Sequence, residues 1–184
     1  MTPDFRHDSD EGGLKAATAI PAEWRRAAQR PILVLGFGNV LLGDDGAGVR
    51  MVERLQSEGA LRFCEFVDGG TLSFSLLSYV EAADSMVIID AAELGRPAGS
   101  IALFEGGAMD EFLRIRRRRS VHEVGLIDLL DMARLHECLP QRRALMCIQP
   151  GRIEWSDALT PPVFDALSEA SDRVRRLITD WDIA

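Results

Sequence analysis

This 184-residue chain has few cysteines, no net positive charge and no long apolar run, and each absence excludes a class of protein. The 3 cysteines, Cys64, Cys138 and Cys147, are far apart and form no CxxC pair, which predicts free thiols in a reducing compartment. A net charge of -8 argues against a general nucleic-acid binder, which needs a basic face. No apolar run approaches a membrane span, and the N-terminus has no signal-peptide core. We therefore expect a cytoplasmic protein with neither a nucleic-acid nor a membrane partner.

The glycine-rich stretch GFGNVLLGDDGAGV (36–49) follows an apolar run but lacks the features of a nucleotide site. It has no Walker lysine, since Lys15 lies in the N-terminal segment. The third glycine of a dinucleotide fingerprint is here Leu41, which we expect to block close helix–strand packing. Asp44 and Asp45 occupy the position of a bound pyrophosphate, and two anions repel a diphosphate. The stretch therefore predicts a site for something other than a nucleotide.

The pattern of apolar residues divides the chain into a polar N-terminal extension, 1–30, and a single α/β domain, 31–184. We predict that the extension is disordered, with a short helix at 21–30. Within the domain, short apolar strands alternate with amphipathic helices. The predicted strands are 32–38, 61–70, 85–93, 100–106 and 143–150. The predicted helices are 47–59, 72–83, 124–139 and 160–181.

The element order β-α-β-α-β-β-α-β-α predicts the fold class. Continuous apolar strands that alternate with helices form a mostly parallel sheet covered on both faces. The link between the third and fourth strands is too short for a parallel crossover, so one strand is expected to be antiparallel. We predict a three-layer α/β sandwich with a twisted, mixed five-stranded sheet.

Acidic residues follow three of the predicted strands at their carboxyl ends, where open α/β sheets bind ligands. Asp45 follows the first strand, Asp68 ends the second and Asp90 ends the third. His122 opens the third main helix. Each has a structural alternative, such as a turn role for Asp68 before two glycines. Their coincidence at one edge favours a ligand site.

Asp44 and Asp45 are adjacent, so they cannot both face the same site. Neighbouring side chains at a helix start point about 100° apart. We predict that Asp44 caps the following helix and that Asp45 faces the site. Two carboxylates and a histidine suit a divalent ion such as Ni²⁺ or Zn²⁺.

Four motifs together, GFGNVLLGDDGAGV, VDGGT, VIIDA and SVHEVGL, resemble the hydrogenase maturation endopeptidases in order and spacing. The resemblance runs from about Pro31 to about Trp181 and implies a mixed sheet between helices. It also implies removal of a C-terminal extension from the large-subunit precursor of a [NiFe] hydrogenase, after nickel insertion. The implied metal ligands are Asp45, Asp90 and His122, and Asp68 matches a further acid associated with activity.

The resemblance implies nickel carried by the substrate, and zinc or cadmium could replace it in the isolated protein. No Ser-His-Asp set, Cys-His set or HExxH motif accounts for peptide hydrolysis. Two routes stay open. The metal activates a water, or it serves as a recognition element bound by Asp45, Asp90 and His122 while Asp68 or another carboxylate acts as base.

Two further alternatives remain at this point. A non-enzymatic nickel carrier or assembly chaperone could use the same three ligands. The run Arg116–Arg119 could dock an acidic partner surface, but we favour a solvated loop because exposed charge runs contribute little.

Overall fold

The structure is a computed structural model that describes residues 15–16, 31–59, 61, 63–70, 74–117 and 124–183. Six strands form one sheet in the order β1-β3-β2-β4-β6-β5. Every neighbouring pair is parallel except β5 with β6, which is antiparallel. The strands are β1 (Lys15–Ala16), β2 (Ile32–Phe37), β3 (Cys64–Gly70), β4 (Ser85–Ala91), β5 (Ile101–Glu105) and β6 (Arg142–Ile148).

In the part of the chain that the structure describes, five α-helices connect or flank the strands, and two short 3₁₀ turns, Gly43–Gly46 and Phe74–Leu76, precede the first two. Gly59 follows the first helix in the left-handed conformation, which glycine adopts without strain. Among the described residues, no helix combines the length and the apolar content needed to cross a bilayer. The helices are α1 (Ala47–Glu58), α2 (Leu77–Ala82), α3 (Gly106–Arg117), α4 (Val124–Leu135) and α5 (Pro161–Ile183).

The sheet lies between two apolar cores, because successive residues of a strand point to opposite faces. In β4, Ile88 faces one core and Ile89 faces the other. The first core contains α2, α3 and α4, and the second contains α1 and α5. The predicted three-layer sandwich is confirmed, as is the antiparallel strand.

Two glycines let α1 lie directly on the sheet backbone. A side chain on Gly48 would collide with the carbonyl oxygens of Phe37 and Ile89, and one on Gly36 would collide with the backbone of Gly48. The expectation that Leu41 blocks close helix–strand packing is therefore wrong. Leu41 lies in the preceding loop, half exposed, and Gly48 supplies the close approach instead.

Three other predictions need correction. The stretch 106–117, for which the sequence predicted no helix, forms α3, whose Met109 and Leu113 are buried one turn apart. The helix expected at 72–83 is a 3₁₀ turn followed by the six-residue α2. Within the extension 1–30, the structure describes Lys15–Ala16, which pair with Val67 and Asp68 as a sixth strand. The predicted disorder and the helix at 21–30 otherwise lie outside the described residues.

The contact of Gly48 with the sheet predicts a large effect of one added methyl group. We expect Gly48→Ala to lower the free energy of unfolding by about 3 kcal/mol, because backbone on both sides must move. Urea denaturation measures this change. Gly107→Ala is the matched control, since open space surrounds that helical glycine, and its stability should be unchanged or slightly higher. Equal stability of the two variants would contradict the close contact.

Candidate active site

The carboxyl ends of three adjacent strands bring the predicted acids to one edge of the sheet. β2 lies between β3, which carries Asp68 near its end, and β4, which carries Asp90. Asp45 lies in the 3₁₀ turn that follows β2. The expectation that these three acids share one edge is therefore confirmed by the strand order.

The Asp45 carboxylate is oriented by the loop that leaves β2. The backbone N–H of Asn39 donates to Asp45 Oδ2 at 2.7 Å. Gly38, with a φ of 121°, packs so closely on the Asp45 carbonyl that a side chain there would collide with it. The glycines of the loop thus fix the position of the backbone that carries Asp45.

Asp45 and Asp90 interact electrostatically. Burial raises the pKa of Asp90 to about 7; the Arg116 guanidinium opposes this rise, and the Asp45 carboxylate adds to it. The negative charge of Asp90 and Asp45 together is only partly compensated by the positive charge of Arg116. A divalent cation with oxygen or nitrogen ligands fits such a pair of carboxylates.

His122 lies outside the described residues, so its role as the third ligand stays a prediction. Within the described part of the chain, no group of three or more His, Cys, Asp or Glu side chains is arranged to hold a metal. The described chain therefore contributes two of the three predicted ligands, Asp45 and Asp90.

Asp68 differs from the other two acids in its surroundings. Its carboxylate accepts a hydrogen bond of 2.8 Å from the backbone N–H of Gly70, the turn role considered from the sequence. Phe66 faces the core of α1 and α5, so strand alternation directs Asp68 to that face. Asp90 alternates with Ile88 and belongs to the opposite face. Asp68 thus shares the edge with Asp90 without sharing its face of the sheet.

Asp44 is fully buried and does not cap α1, which corrects the predicted division of roles. Its carboxylate accepts hydrogen bonds from the backbone N–H groups of Gly151, Arg152 and Thr160 and from the Thr160 hydroxyl, at 2.6–2.9 Å. Burial alone would raise the pKa of Asp44, but these hydrogen bonds outweigh it and hold the pKa below its usual value. Asp44 therefore joins the turn before α1 to the segment before α5.

The structure places Arg116, interpreted from the sequence as part of a solvated loop, on α3, and it adds Gln149, which the sequence reasoning missed. The positive charge of Arg116 lowers the pKa of both Asp90 and Glu93, so the first arginine of the run acts at the site. Its guanidinium also lies 5.6 Å from the centre of the Phe112 ring. Gln149, buried at the end of β6, accepts a hydrogen bond of 2.6 Å from the Leu94 N–H and so holds the loop after β4.

The cysteines take no described part in this site. All three are free, with Cys147 buried and Cys64 and Cys138 partly buried. Burial raises the pKa of the Cys147 thiol well above its usual value, and Asp90 adds to that rise. Because the thiolate is the reactive form, Cys147 is poorly suited to act as a nucleophile. The predicted free thiols are confirmed.

Known proteins are similar to this chain in both sequence and fold. The sequence model of the hydrogenase maturation proteases matches residues 49–177. The hydrogenase expression/formation protein HupD of Bradyrhizobium diazoefficiens is 32% identical over 154 residues, 83% of this chain and 80% of that protein. The hydrogenase 2 maturation protease of Escherichia coli is 32% identical over 145 residues, 78% of this chain and 87% of that protein.

Solved structures agree with these relatives. The hydrogenase maturating endopeptidase HybD from E. coli matches 82% of this chain and 93% of its own, with a TM-score of 0.73 and 29% identity. Fold and sequence together define a peptidase, a hydrolase built on a mixed α/β sheet. The chain belongs to the hydrogenase maturation protease family.

The contrast between Asp44 and Asp45 predicts different effects of the same substitution. We expect Asp44→Asn to lower the free energy of unfolding by about 3 kcal/mol, because the new amide N–H₂ faces backbone donors. Asp45→Asn should cost less than about 1 kcal/mol, since its remaining oxygen still accepts from Asn39. Urea denaturation of both variants checks this, and the reverse order would contradict the assignment.

The raised pKa of Asp90 predicts how stability depends on pH in the metal-free protein. The folded state binds the proton more tightly than the unfolded state, so ionised Asp90 lowers stability as pH rises from 3.8 towards 7. The stability advantage of Asp90→Asn over the wild type should therefore widen by about 2.5 kcal/mol between pH 5 and pH 8.

Denaturation in the presence of a chelator at the two pH values measures this difference. Asp110→Asn is the control, because hydrogen bonds from Arg143 lower the pKa of Asp110 and its contribution is constant above the unfolded value. A constant advantage for Asp90→Asn at both pH values would show that Asp90 is not buried near Asp45.

Proposed function

We propose that this peptidase removes the C-terminal extension of a [NiFe]-hydrogenase large-subunit precursor after nickel insertion, with nickel in the substrate as the recognition element. The observation that carries the proposal is that Asp45 and Asp90 interact electrostatically at the edge where α/β sheets bind ligands. Without a cation, the two carboxylates repel each other and leave the substrate unbound. A nickel ion in the precursor converts this repulsion into attraction.

In this proposal Asp45, Asp90 and His122 contact the nickel that the precursor carries. Arg116 partly compensates Asp90 before the precursor arrives. A carboxylate at the same edge, Asp68 or another, takes a proton from a water molecule that attacks the scissile carbonyl carbon. The C–N bond then breaks, and the proton passes to the leaving amine.

The sequence also left open a non-enzymatic nickel carrier with the same ligands. Membership of a protease family favours the peptidase, and HybD and the E. coli hydrogenase 2 protein are both named as proteolytic enzymes. A carrier and a peptidase differ in one measurable quantity, the mass of the precursor after incubation.

The test is incubation of the protein with nickel-loaded and nickel-free precursor, with mass spectrometry of the product. We expect a shortened product from the nickel-loaded precursor and an intact nickel-free precursor. An unchanged mass in both cases would favour the carrier. Equal cleavage of both precursors would show that nickel is not the recognition element.

Variants separate the ligands from the base. Asp45→Asn, Asp90→Asn and His122→Ala should each lose binding of nickel-loaded precursor, which surface plasmon resonance measures. Asp68→Asn should retain binding and lose about 100-fold or more in turnover if Asp68 is the base. Glu169→Gln, exposed on α5, is the control and should match the wild type. Full processing by His122→Ala would contradict the ligand assignment.

A further inference from the structure

Two hydrogen-bonded loop segments beside the candidate site expose three large apolar side chains. Leu41 is 52% exposed, Ile153 is 55% exposed and Trp155 is 80% exposed. The Ser156 N–H donates to the Leu41 carbonyl at 3.0 Å, and the Gly43 N–H donates to the Ser156 carbonyl at 2.8 Å. A parallel bridge between Leu42 and Ser156 therefore sets Leu41 opposite Trp155. We call Leu41, Ile153 and Trp155 the apolar patch.

The backbone that carries the apolar patch is held in place by hydrogen bonds to the buried Asp44. The buried Asp44 carboxylate binds the N–H groups of Gly151 and Arg152 at one end of the exposed segment and Thr160 at the other. The Asp44 N–H donates in return to the Arg152 carbonyl at 3.2 Å. A tryptophan on a loop held in this way loses little freedom when a partner covers it, and tryptophan is enriched among residues that dominate binding energy.

The apolar patch and Asp45 lie on loop segments that are linked to each other. Leu41 and Asp45 belong to one loop, four residues apart, and Asp44 links that loop to the segment of Ile153 and Trp155. A macromolecule that places a group against Asp45 therefore approaches the loop that carries Leu41. A single exposed apolar residue needs no explanation, but a cluster on a rigid loop next to a site indicates an interaction surface.

We propose that the apolar patch is the surface that docks the folded hydrogenase precursor, through an apolar region of the precursor next to its scissile segment. This inference rests on the proposed function, since it names the surface by which the same site receives its substrate. Three side chains cover far less than the roughly 1,600 Å² of a standard stable interface, which disfavours a permanent second copy of this chain. A small apolar contact suits a substrate that must leave after each turnover.

The test compares the steady-state cleavage of nickel-loaded precursor by Trp155→Ser, Leu41→Ser and the double variant. We expect KM to rise about tenfold for Trp155→Ser, with kcat unchanged, because the contact holds substrate and transition state equally. Trp155→Phe should restore most of the affinity. Leu135→Ser is the matched control, since Leu135 is 81% exposed on α4, outside both loops. Thermal melting confirms that the variants fold.

Two results would overturn the inference while leaving the proposed function intact: an unchanged KM in Trp155→Ser, or a loss confined to kcat. A change of oligomeric state in Trp155→Ser with unchanged KM, seen by light scattering, would assign the patch to a second copy instead. If the wild type leaves the precursor uncut, the proposed function fails by itself. In that case, surface plasmon resonance measures the Kd of intact precursor for the wild type and for Trp155→Ser. Equal Kd values would refute docking on the apolar patch.

Discussion

The arrangement of the loops at the candidate active site depends on one buried carboxylate, that of Asp44. Asp44 accepts four hydrogen bonds from a segment more than a hundred residues away in the chain, and it thereby joins the turn after β2 to the start of α5. Such a group is costly to bury without partners and specific once it has them. Its neighbour, Asp45, is left to face the edge of the sheet. Of the two adjacent acids, Asp44 therefore stabilises the fold and Asp45 is available to the candidate site.

The fold could be read from the sequence wherever the apolar period was strong. The buried strands β2, β4 and β6 and the antiparallel β5 follow from apolar runs and from link lengths. Helix α3 was missed because the arginines after Ile115 dominated the interpretation, although Met109, Phe112 and Leu113 already have helical spacing. The sixth strand is two residues long, too short for any periodic signal.

The sequence predicted which edge of the sheet carries the site, but it did not predict which residues contact the acids there. Strand ends placed Asp45, Asp68 and Asp90 at one edge, because that inference needs only the topology. The role of Asp44 was wrong, since its partners come from residues 151–160 and local spacing carries no record of such a contact. The electrostatic effect of Arg116 on Asp90 was not predicted either, because α3 had not been recognised as a helix. Contacts between distant segments are where sequence reasoning failed.

The close contact at Gly48 has an electrostatic consequence. Because no side chain separates them, the first turn of α1 rests on the carbonyl of Ile89, one residue before Asp90. The aligned peptide dipoles of a helix leave partial positive charge at its first turn, equivalent to about half an elementary charge. α1 therefore holds this partial positive charge at the carboxyl edge of the sheet, just after Asp45 in the chain and against the carbonyl that precedes Asp90. A methyl group at position 48 would disturb this packing, and it would also push that charge away from the backbone of β2 and β4.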